Sequence, residues 1–472
     1  MKLYTMKFGG TSVGSPEAIA QVVSIVETDL SRGNRVIVVV SAMSKVTDSL
    51  IDAARKAASG NKWGYLSTAE TLRERHGEAI VRLVPEGEDR DRTTAQVNAL
   101  IDDFVSVCNA INILGELTPR ILDSIVAFGE RLSSRVIAAA MRAQGINARQ
   151  YDAGQFVITD DCYQSANVLW DVTQANIQHH LLPVIESGVT PVITGFIGQT
   201  QDGVITTLGR GGSDYSAAIF AAASDSDELI IWTDVDGVMT TDPRIDSRAR
   251  VLPYVSYNEV GELAFYGAKV LHPKTVQPIL DKQMPLRVRN TFNPTFEGTL
   301  IGPASTPSAT VVKAVTAVRN VSLLTVGGRG MIGVPGIAGR AFLTTAQAGA
   351  NILMISQASS EQSFCFVVLD NRSRLVKAAI EKEFEQEIAQ RNIDHIELLE
   401  DVVIITVVGA GMRGTPGIAG RVFTVMGEQG INVIAIAQGA SECSISFVID
   451  EYNLERAVVA LHELALQAVE MA

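Results

Sequence analysis

The sequence predicts an α/β protein with a mainly parallel sheet between helices, followed by two copies of a smaller α/β module. Three observations lead to this prediction. Apolar runs alternate with helical stretches over about the first 300 residues, two glycine-rich loops each join a strand to a helix, and a segment starting at residue 333 recurs 81 residues later. A chain of 472 residues is long enough for two or three domains.

The predicted sheet rests on apolar runs at residues 36–40, 190–194 and 228–233. Continuous runs rich in β-branched residues are typical of strands buried on both faces of a parallel sheet. In open α/β sheets, ligands bind beyond the carboxyl ends of the strands. The residues expected to rim a single cleft there are Lys7, Ser41, Phe196 and Asp234.

The first glycine-rich loop is KFGGTSVG at residues 7–14. Glycine lets backbone amides approach an anion, and a helix that begins at the loop favours negative charge. Ser15 suits the N-cap of the following helix and Pro16 its first position. The loop is not a Walker A motif, because Lys7 precedes the glycines instead of following them. An ordinary strand–turn–helix would explain this loop if it stood alone.

The second loop is TLGRGGSD at residues 207–214, and a helix follows it. Arg210 can grip a carboxylate with two hydrogen bonds. Asp214 could act in the site or merely complement the helix dipole. Together the two loops predict an enzyme that brings two anions into one cleft. Glu130, on a predicted amphipathic helix at 119–143, is either an exposed charge or a substrate-binding acid.

Composition narrows the classes of partner. The chain is 47% hydrophobic and 19% charged, with a net charge of −13. This acidity argues against nucleic acid and anionic membranes as partners. The four cysteines and six histidines show no metal-ligand spacing. No signal peptide and no apolar run of 18 residues is evident, so we expect a cytoplasmic protein.

The internal repeat lies beyond a segment rich in Pro, Gly, Ser and Thr near residues 290–310. GVPGIAGR at 333–340 recurs as GTPGIAGR at 414–421. Each copy predicts the order strand, glycine-rich turn, helix, strand, strand, helix, which is a module too short to be an enzyme. Both copies also match the GxGxxG dinucleotide pattern, which raises a dehydrogenase as an alternative. That alternative is disfavoured because Glu428 precedes the next predicted strand, whereas a ribose-binding acid follows one. We therefore interpret the repeat as an effector-binding pair.

These motifs resemble those of aspartate kinase, of the monofunctional type with two ACT modules. The resemblance covers nearly the whole chain. The matching segments are KFGGTSVG (7–14), VVVSAM (38–43), FGERLSS (128–134), TGFIG (194–198), TTLGRGGSDYSAA (206–218), WTDVDG (232–237), TTDPR (240–244) and YGAKVLHP (266–273). The resemblance implies an amino acid kinase fold followed by two βαββαβ modules. It also implies transfer of the ATP γ-phosphoryl group to the side-chain carboxylate of L-aspartate, a step that leads to lysine, threonine and methionine.

The resemblance also implies residue roles. Lys7 would meet the phosphates with Asp214 orienting it, Arg210 would hold the substrate α-carboxylate, and Glu130 would take its ammonium. Further substrate contacts would come from Ser41, Thr47, Phe196 and Ser213. The residues implied for ATP are Lys7, Gly9, Gly10, Thr233, Asp234, Arg244 and Lys269. No dedicated metal site is implied, since Mg²⁺ would arrive with ATP and keep its waters.

The implied domains are a kinase domain at 1–302 and ACT modules at 303–392 and 393–472, with residues 309–316 adding a strand to the second module. The implied effector-binding residues are Met331, Val334, Pro335, Gly336, Ile337, Asn351, Gln357, Asn432 and Gln438. Residues 349–357 contain no acid, which favours threonine over lysine as effector. ACT modules pair side by side, so a homodimer or homotetramer is expected.

Two alternatives and one departure accompany the resemblance. Another carboxylate kinase, acting on glutamate or acetylglutamate, is disfavoured by the tandem ACT pair and the Glu130 helix. A ligand sensor with an inactive kinase domain is disfavoured by the intact Lys7, Arg210 and Asp214. Many family members carry a tyrosine where this chain has Met239, whose thioether packs on a purine without aromatic stacking.

Overall fold

The computed structural model describes residues 1–266, 271, 273–303, 311–357, 362–439 and 441–466. The chain forms two compact units. The first contains Met1–Val238, Pro253–Tyr257 and Val270–Pro303, and the second contains Met239–Leu252, Asn258–Lys269 and Ala304–Ala472. Two segments that precede residue 302 therefore belong to the second unit. The predicted linear boundary at 302 stays a prediction.

The first ten strands are β1 (Leu3–Phe8), β2 (Arg35–Val40), β3 (Ala148–Tyr151), β4 (Thr190–Thr194), β5 (Ile197–Gln199), β6 (Ile205–Thr207), β7 (Glu228–Thr233), β8 (Tyr254–Ser256), β9 (Leu286–Asn290) and β10 (Thr299–Gly302). The first ten helices are α1 (Pro16–Ser31), α2 (Val46–Ala58), α3 (Lys62–Leu83), α4 (Glu88–Leu114), α5 (Pro119–Ala143), α6 (Trp170–Asn176), α7 (Leu182–Glu186), α8 (Gly212–Ala223), α9 (Tyr257–Phe265) and α10 (Pro273–Leu280). All of α9 except its first residue lies in the second unit.

The first unit is built on an eight-stranded sheet with the order β3-β4-β2-β1-β7-β9-β10-β8. Every neighbouring pair is parallel except β9 with β10, which confirms the predicted mainly parallel sheet. A separate hairpin pairs β5 with β6. The N-terminus of α1 follows the predicted signals: Pro16 opens the helix, and the Ser15 side chain accepts a hydrogen bond from the Ala18 amide.

The core of the first unit lies between this sheet and helices α1 to α5. Sheet residues such as Phe8, Val38 and Trp232 pack with Leu50 of α2 and Phe104 of α4, all of them fully buried or nearly so. In the part of the chain that the structure describes, α4 is the single helix whose length and apolar composition would suit a membrane. Its apolar face contributes to this core.

The second unit repeats one motif twice. Its strands are β11 (Ala314–Gly327), β12 (Met354–Gln357), β13 (Ser363–Leu369), β14 (His395–Val408), β15 (Ala435–Gln438) and β16 (Ser444–Asp450), and its remaining helices are α11 (Ile337–Gln347), α12 (Asp370–Glu383), α13 (Glu385–Ala389), α14 (Ile418–Glu428) and α15 (Leu454–Leu466). They form one six-stranded sheet with the order β12-β13-β11-β14-β16-β15, which is antiparallel throughout.

The long strands β11 and β14 link the two copies. The amino-terminal part of β11 (314–318) pairs with the end of β14 (404–408), while the carboxyl-terminal part of β11 (323–327) pairs with the start of β14 (395–399). Within the four strands of the first copy, the outermost strand beside β11 is therefore the start of β14. Within the four strands of the second copy, the outermost strand beside β14 is the amino-terminal part of β11. Of the segment 309–316, residues 314–316 lie in β11, and residues 309 and 310 lie outside the described residues.

Candidate active site

The strand register gathers the predicted loops at one edge of the parallel sheet. Phe8 of β1 lies opposite Val40 of β2 and Trp232 of β7, and Val40 lies opposite Thr194 of β4. Four strands therefore end at the same level. The glycine-rich loop after β1 and the segments after β2, β4 and β7 all open on this edge, as the sequence predicts.

A cavity of about 390 Å³ lies at this edge. Its walls contain all the residues that the sequence assigns to catalysis and to substrate binding. The lining residues are Lys7, Gly10, Ser41, Ala42, Met43, Ser44, Lys45, Thr47, Asp48, Glu130, Phe196, Gly209, Arg210, Gly211, Gly212, Ser213 and Asp214. Among the sequence-predicted ATP residues that the structure describes, Lys7 and Gly10 line the cavity, and Gly9 is buried.

A buried ion pair stands at the centre of the cavity. The Nζ atom of Lys7 lies 2.6 Å from Oδ1 of Asp214, and both side chains are more than four-fifths buried. Asp214 lies in the first turn of α8, where the helix dipole favours a carboxylate. The Asp214 carboxylate is thus paired with a cation of the protein itself. Among the described residues, no cluster of three or more His, Cys, Asp or Glu side chains could hold a metal.

Glu130 presents an unusual carboxyl group. It is 3% exposed, and its Oε1 atom accepts a hydrogen bond of 3.2 Å from the Ala42 amide. Oε2 is buried and has no hydrogen-bond partner among the described residues. Burial raises the pKa of Glu130 to about 8, while the Ala42 amide and the Lys7 ammonium act in the opposite direction. An unpartnered buried oxygen facing a cavity is suited to a ligand that brings its own donor or positive charge.

The loop after β6 carries Arg210, a further cation of the site. Gly209 and Gly211 both have positive φ (78° and 71°), and Arg210 between them is exposed. In the described part of the chain, no carboxylate lies within ion-pair distance of Arg210. Its guanidinium is therefore available to an anionic group in the cavity, and Ser213 at the start of α8 lies beside it in the sequence.

Phe196 contributes more than its backbone. It has φ of +68°, which is unusual for an aromatic residue, and its amide donates to the Ser216 hydroxyl at 2.9 Å. A Cβ atom on Gly212 would lie 2.5 Å from the Phe196 ring, so the ring packs directly on the backbone at the start of α8.

Of the remaining predicted nucleotide residues, the three that the structure describes do not line the cavity. Thr233 ends β7 and Asp234 follows it, and the Thr233 hydroxyl donates to Asp234 at 3.2 Å. Arg244 belongs to the second unit, where its exposed guanidinium pairs with Asp242 at 2.6 Å. Lys269 lies outside the described residues.

The predicted effector residues lie in the second unit. Gly333 and Gly336 have positive φ, and Gly336 caps α11; Gly414 and Gly417 repeat this arrangement before α14. Met331 and Ile337 are buried, whereas Val334, Pro335 and Gly336 are exposed. The four predicted polar residues, all exposed, are Asn351, Gln357, Asn432 and Gln438.

Sequence reasoning missed three residues that fasten the site together. Ser44 donates from its amide and its hydroxyl to the Gly10 carbonyl, at 3.1 and 2.8 Å. Arg75 of α3 donates to the carbonyls of Gly14 and Ser44. Asp123 of α5 accepts three hydrogen bonds near the second loop. Ser44 directly follows the VVVSAM segment and could have been included, but no sequence signal links Arg75 or Asp123 to the site.

A parallel sheet whose carboxyl edge holds two glycine-rich loops, an oriented lysine and a free arginine defines an enzyme class that handles phosphate and carboxylate groups. Comparisons with known proteins agree. The amino acid kinase family model matches residues 2–290, and an ACT domain model matches residues 324–384 and 405–464. Aspartokinase 1 of Arabidopsis thaliana is 33% identical over 97% of this chain and 79% of its own length. The chain therefore belongs to the amino acid kinase family and, within it, to the aspartokinases.

Other relatives are longer proteins. A bifunctional aspartokinase/homoserine dehydrogenase of Arabidopsis thaliana is 37% identical over 97% of this chain and 50% of its own length. The chain thus spans about half the length of the first curated relatives it matches. Among solved structures, E. coli aspartokinase III with aspartate and ADP (R-state) superposes with a TM-score of 0.83 at 26% identity, covering 99% of this chain and 100% of that one. The same enzyme with lysine and aspartate (T-state) gives a TM-score of 0.79 at 26% identity, covering 100% of both chains.

Proposed function

We propose that this protein is an aspartate kinase, which transfers the γ-phosphoryl group of ATP to the side-chain carboxylate of L-aspartate. One observation carries the proposal: a single cavity brings together the Lys7–Asp214 pair, the unpartnered oxygen of Glu130 and the unpaired guanidinium of Arg210. Lys7 suits the phosphate groups of ATP, Glu130 suits the ammonium of aspartate, and Arg210 suits its α-carboxylate.

Lys7 is the lysine that contacts the phosphoryl group during its transfer. Its ammonium, held by Asp214, faces the cavity beside the backbone of Gly9 and Gly10. A fixed positive charge and backbone amides stabilise the charge that spreads over the phosphoryl oxygens during transfer. Glycine suits position 10, because a Cβ atom there would lie 3.1 Å from the Ala42 carbonyl oxygen, which is a tight contact.

Glu130 and Arg210 select the amino acid. The Oε2 atom of Glu130 accepts from the substrate ammonium, which would keep the carboxyl ionised in the complex. Arg210 binds the α-carboxylate in a bidentate manner. With both α groups held, the side-chain carboxylate is the end left to approach Lys7. Ser41, Thr47, Phe196 and Ser213 complete the wall around it.

No general base is required, because the attacking carboxylate is already ionised. Alignment and charge neutralisation supply the rate. The Asp214 carboxylate is paired with Lys7, so Mg²⁺ would enter with ATP. Bound to ATP, Mg²⁺ would neutralise phosphate charge. Thr233, Asp234, Arg244 and Lys269 are proposed for the nucleotide from the family resemblance.

The repeated module serves regulation in this proposal. The exposed turns before α11 and α14 offer backbone amides, and the exposed Asn351, Gln357, Asn432 and Gln438 offer side-chain partners for an amino acid. We favour threonine over lysine, because residues 349–357 contain no acid to pair with a second ammonium. A cytoplasmic homodimer or homotetramer, joined through these modules, is part of the same proposal.

The proposal is tested by measuring Mg-ATP-dependent ADP formation with aspartate, glutamate and acetylglutamate under identical conditions. We expect turnover with aspartate and at least about a hundredfold lower kcat/KM for the other two acids, because Glu130 and Arg210 fix the distance to the reacting carboxylate. Faster turnover of glutamate or acetylglutamate would overturn the substrate assignment. Absence of turnover with any acid would overturn the enzyme assignment.

A further inference from the structure

Asp123 is a fully buried carboxylate that lies outside the substrate cavity. It accepts three hydrogen bonds of 2.9 Å: two from the amide and hydroxyl of Thr207, and one from the amide of Gln164. Burial raises the pKa of Asp123, and the three donors act in the opposite direction. A buried carboxylate with this many donors is a built connection between three separate segments of the chain.

The segments that Asp123 joins lead directly into the second glycine-rich loop. Thr207 ends β6, three residues before Arg210, and its carbonyl accepts from the Ala166 amide at 2.9 Å. Gly209 approaches the neighbouring segment closely, because a Cβ atom there would lie 2.9 Å from the Gln164 carbonyl oxygen. Asp123 therefore sets the position of the Arg210 loop, because it binds both Thr207 and Gln164.

The same helix also holds the opposite side of the cavity. Glu130, two turns after Asp123 on α5, binds the Ala42 amide, and the Ser133 hydroxyl donates to the Ser41 carbonyl at 2.7 Å. Seven residues of helix place Asp123 and Glu130 about 10 Å apart along one rigid axis. Helix α5 thus fixes the Arg210 loop and the Ser41–Ala42 segment relative to each other.

We propose that Asp123 is a positioning residue for substrate selection, which holds Arg210 at the distance from Glu130 that one α-amino acid requires. This inference rests on the proposed function, in which Arg210 takes the α-carboxylate and Glu130 the ammonium. Asp123 does not touch the substrate. It acts through Thr207 and the loop that follows.

The test uses two truncated analogues of aspartate as competitive inhibitors of the full-length protein. Succinate lacks the ammonium and keeps both carboxylates, whereas β-alanine lacks the α-carboxylate. In Asp123→Ala, the amides of Thr207 and Gln164 lose their acceptor, so we expect the loop to shift. We expect the KM for aspartate and the inhibition constant of succinate to rise at least about tenfold. The inhibition constant of β-alanine and the KM for ATP should change less than about twofold, because neither ligand uses Arg210.

Three further variants make the result decisive. Arg210→Lys should produce the same split between succinate and β-alanine, and Thr207→Val, which removes one hydrogen bond and no charge, should produce a smaller one. Asp103→Asn, at an exposed site on α4, should leave all four constants unchanged. If Asp123→Ala does not fold, Thr207→Val is used for the test.

The outcomes separate the two claims. A split in Arg210→Lys without one in Asp123→Ala or Thr207→Val would overturn this inference alone. No split in Arg210→Lys would overturn the proposed role of Arg210 and this inference with it. Equal losses for both analogues in Asp123→Ala, with a lowered melting temperature, would show that Asp123 only stabilises the fold.

Discussion

The buried Glu130 carboxyl makes aspartate binding dependent on proton release. With a pKa of about 8 in the unliganded protein, this group is mostly protonated at pH 7. In the proposed complex it faces an ammonium and must be ionised. Aspartate binding should therefore change the protonation of Glu130, and this binding is compared between the wild type and Glu130→Gln.

The number of protons released on binding depends on the difference between the pKa of Glu130 and the pH of the experiment. One unit below a pKa of about 8, roughly 0.9 of the carboxyls carry a proton, so binding at pH 7 should release about 0.9 proton. At pH 9 the release should fall to about 0.1 proton. The ionised fraction grows from about 0.1 to about 0.5 between pH 7 and pH 8, so the apparent affinity for aspartate should rise about fivefold.

The stability of the unliganded protein changes in the opposite direction to the affinity for aspartate as the pH rises. The fold favours the uncharged form of Glu130, so its contribution to the unfolding free energy of the unliganded protein is fully present below the ordinary carboxyl pKa. That contribution is lost as the pH rises through about 8. Bound aspartate should reverse this trend, because its ammonium stabilises the ionised form.

The assay is isothermal titration of aspartate in buffers with different ionisation enthalpies at pH 7 and pH 9. The slope of the observed heat against buffer enthalpy gives the number of protons released. Glu130→Gln, which keeps the shape and cannot ionise, should bind weakly and release none. A buffer-independent heat at pH 7 in the wild type, or equal release by the variant, would refute the reasoning.

Three other predictions concern the remaining groups. Lys7→Ala should keep the fold and lower kcat by about 10³-fold, about 4 kcal/mol of transition-state stabilisation, so a variant retaining a tenth of wild-type turnover would contradict the role of Lys7. Arg210→Lys should raise the KM for aspartate about tenfold or more with little change in the KM for ATP, since an ammonium cannot reproduce a bidentate grip; an unchanged aspartate KM would show that Arg210 serves another ligand. Threonine should inhibit the full-length protein at lower concentration than lysine does, and inhibition by lysine alone would reverse the effector preference.

Much of the fold could be predicted because its signals are local. The β-branched run of β2, the Ser15–Pro16 start of α1 and the repeated GxPGIAGR turns each depend on a few neighbouring residues. The convergence of Lys7 and Ser41 followed from one rule about parallel strands. For Glu130, the residues alone left two interpretations open, and the family resemblance favoured the substrate-binding acid.

The rest could not be predicted because it depends on contacts between distant residues. Asp123 and Thr207 are 84 positions apart, and Arg75 and Gly14 are 61 apart, with no periodicity that relates them. Likewise, no composition change marks residues 239–252 as part of the second unit, although they precede the predicted boundary by some 50 residues. The left-handed backbone of Phe196 is equally silent in the sequence, because aromatic residues rarely adopt it.

The most direct test of the account identifies which carboxylate of aspartate receives the phosphoryl group. The product formed from aspartate and Mg-ATP is reduced with borohydride, which converts an acyl phosphate to an alcohol. The two possible amino alcohols are isomers of equal mass, so the product is identified by chromatography against both standards. Because Glu130 and Arg210 hold the two α groups, we expect homoserine, the product of side-chain phosphorylation, and about a thousandfold less of it from Lys7→Ala in the same time. Recovery of 3-amino-4-hydroxybutanoate, the product of α-carboxylate phosphorylation, would contradict it.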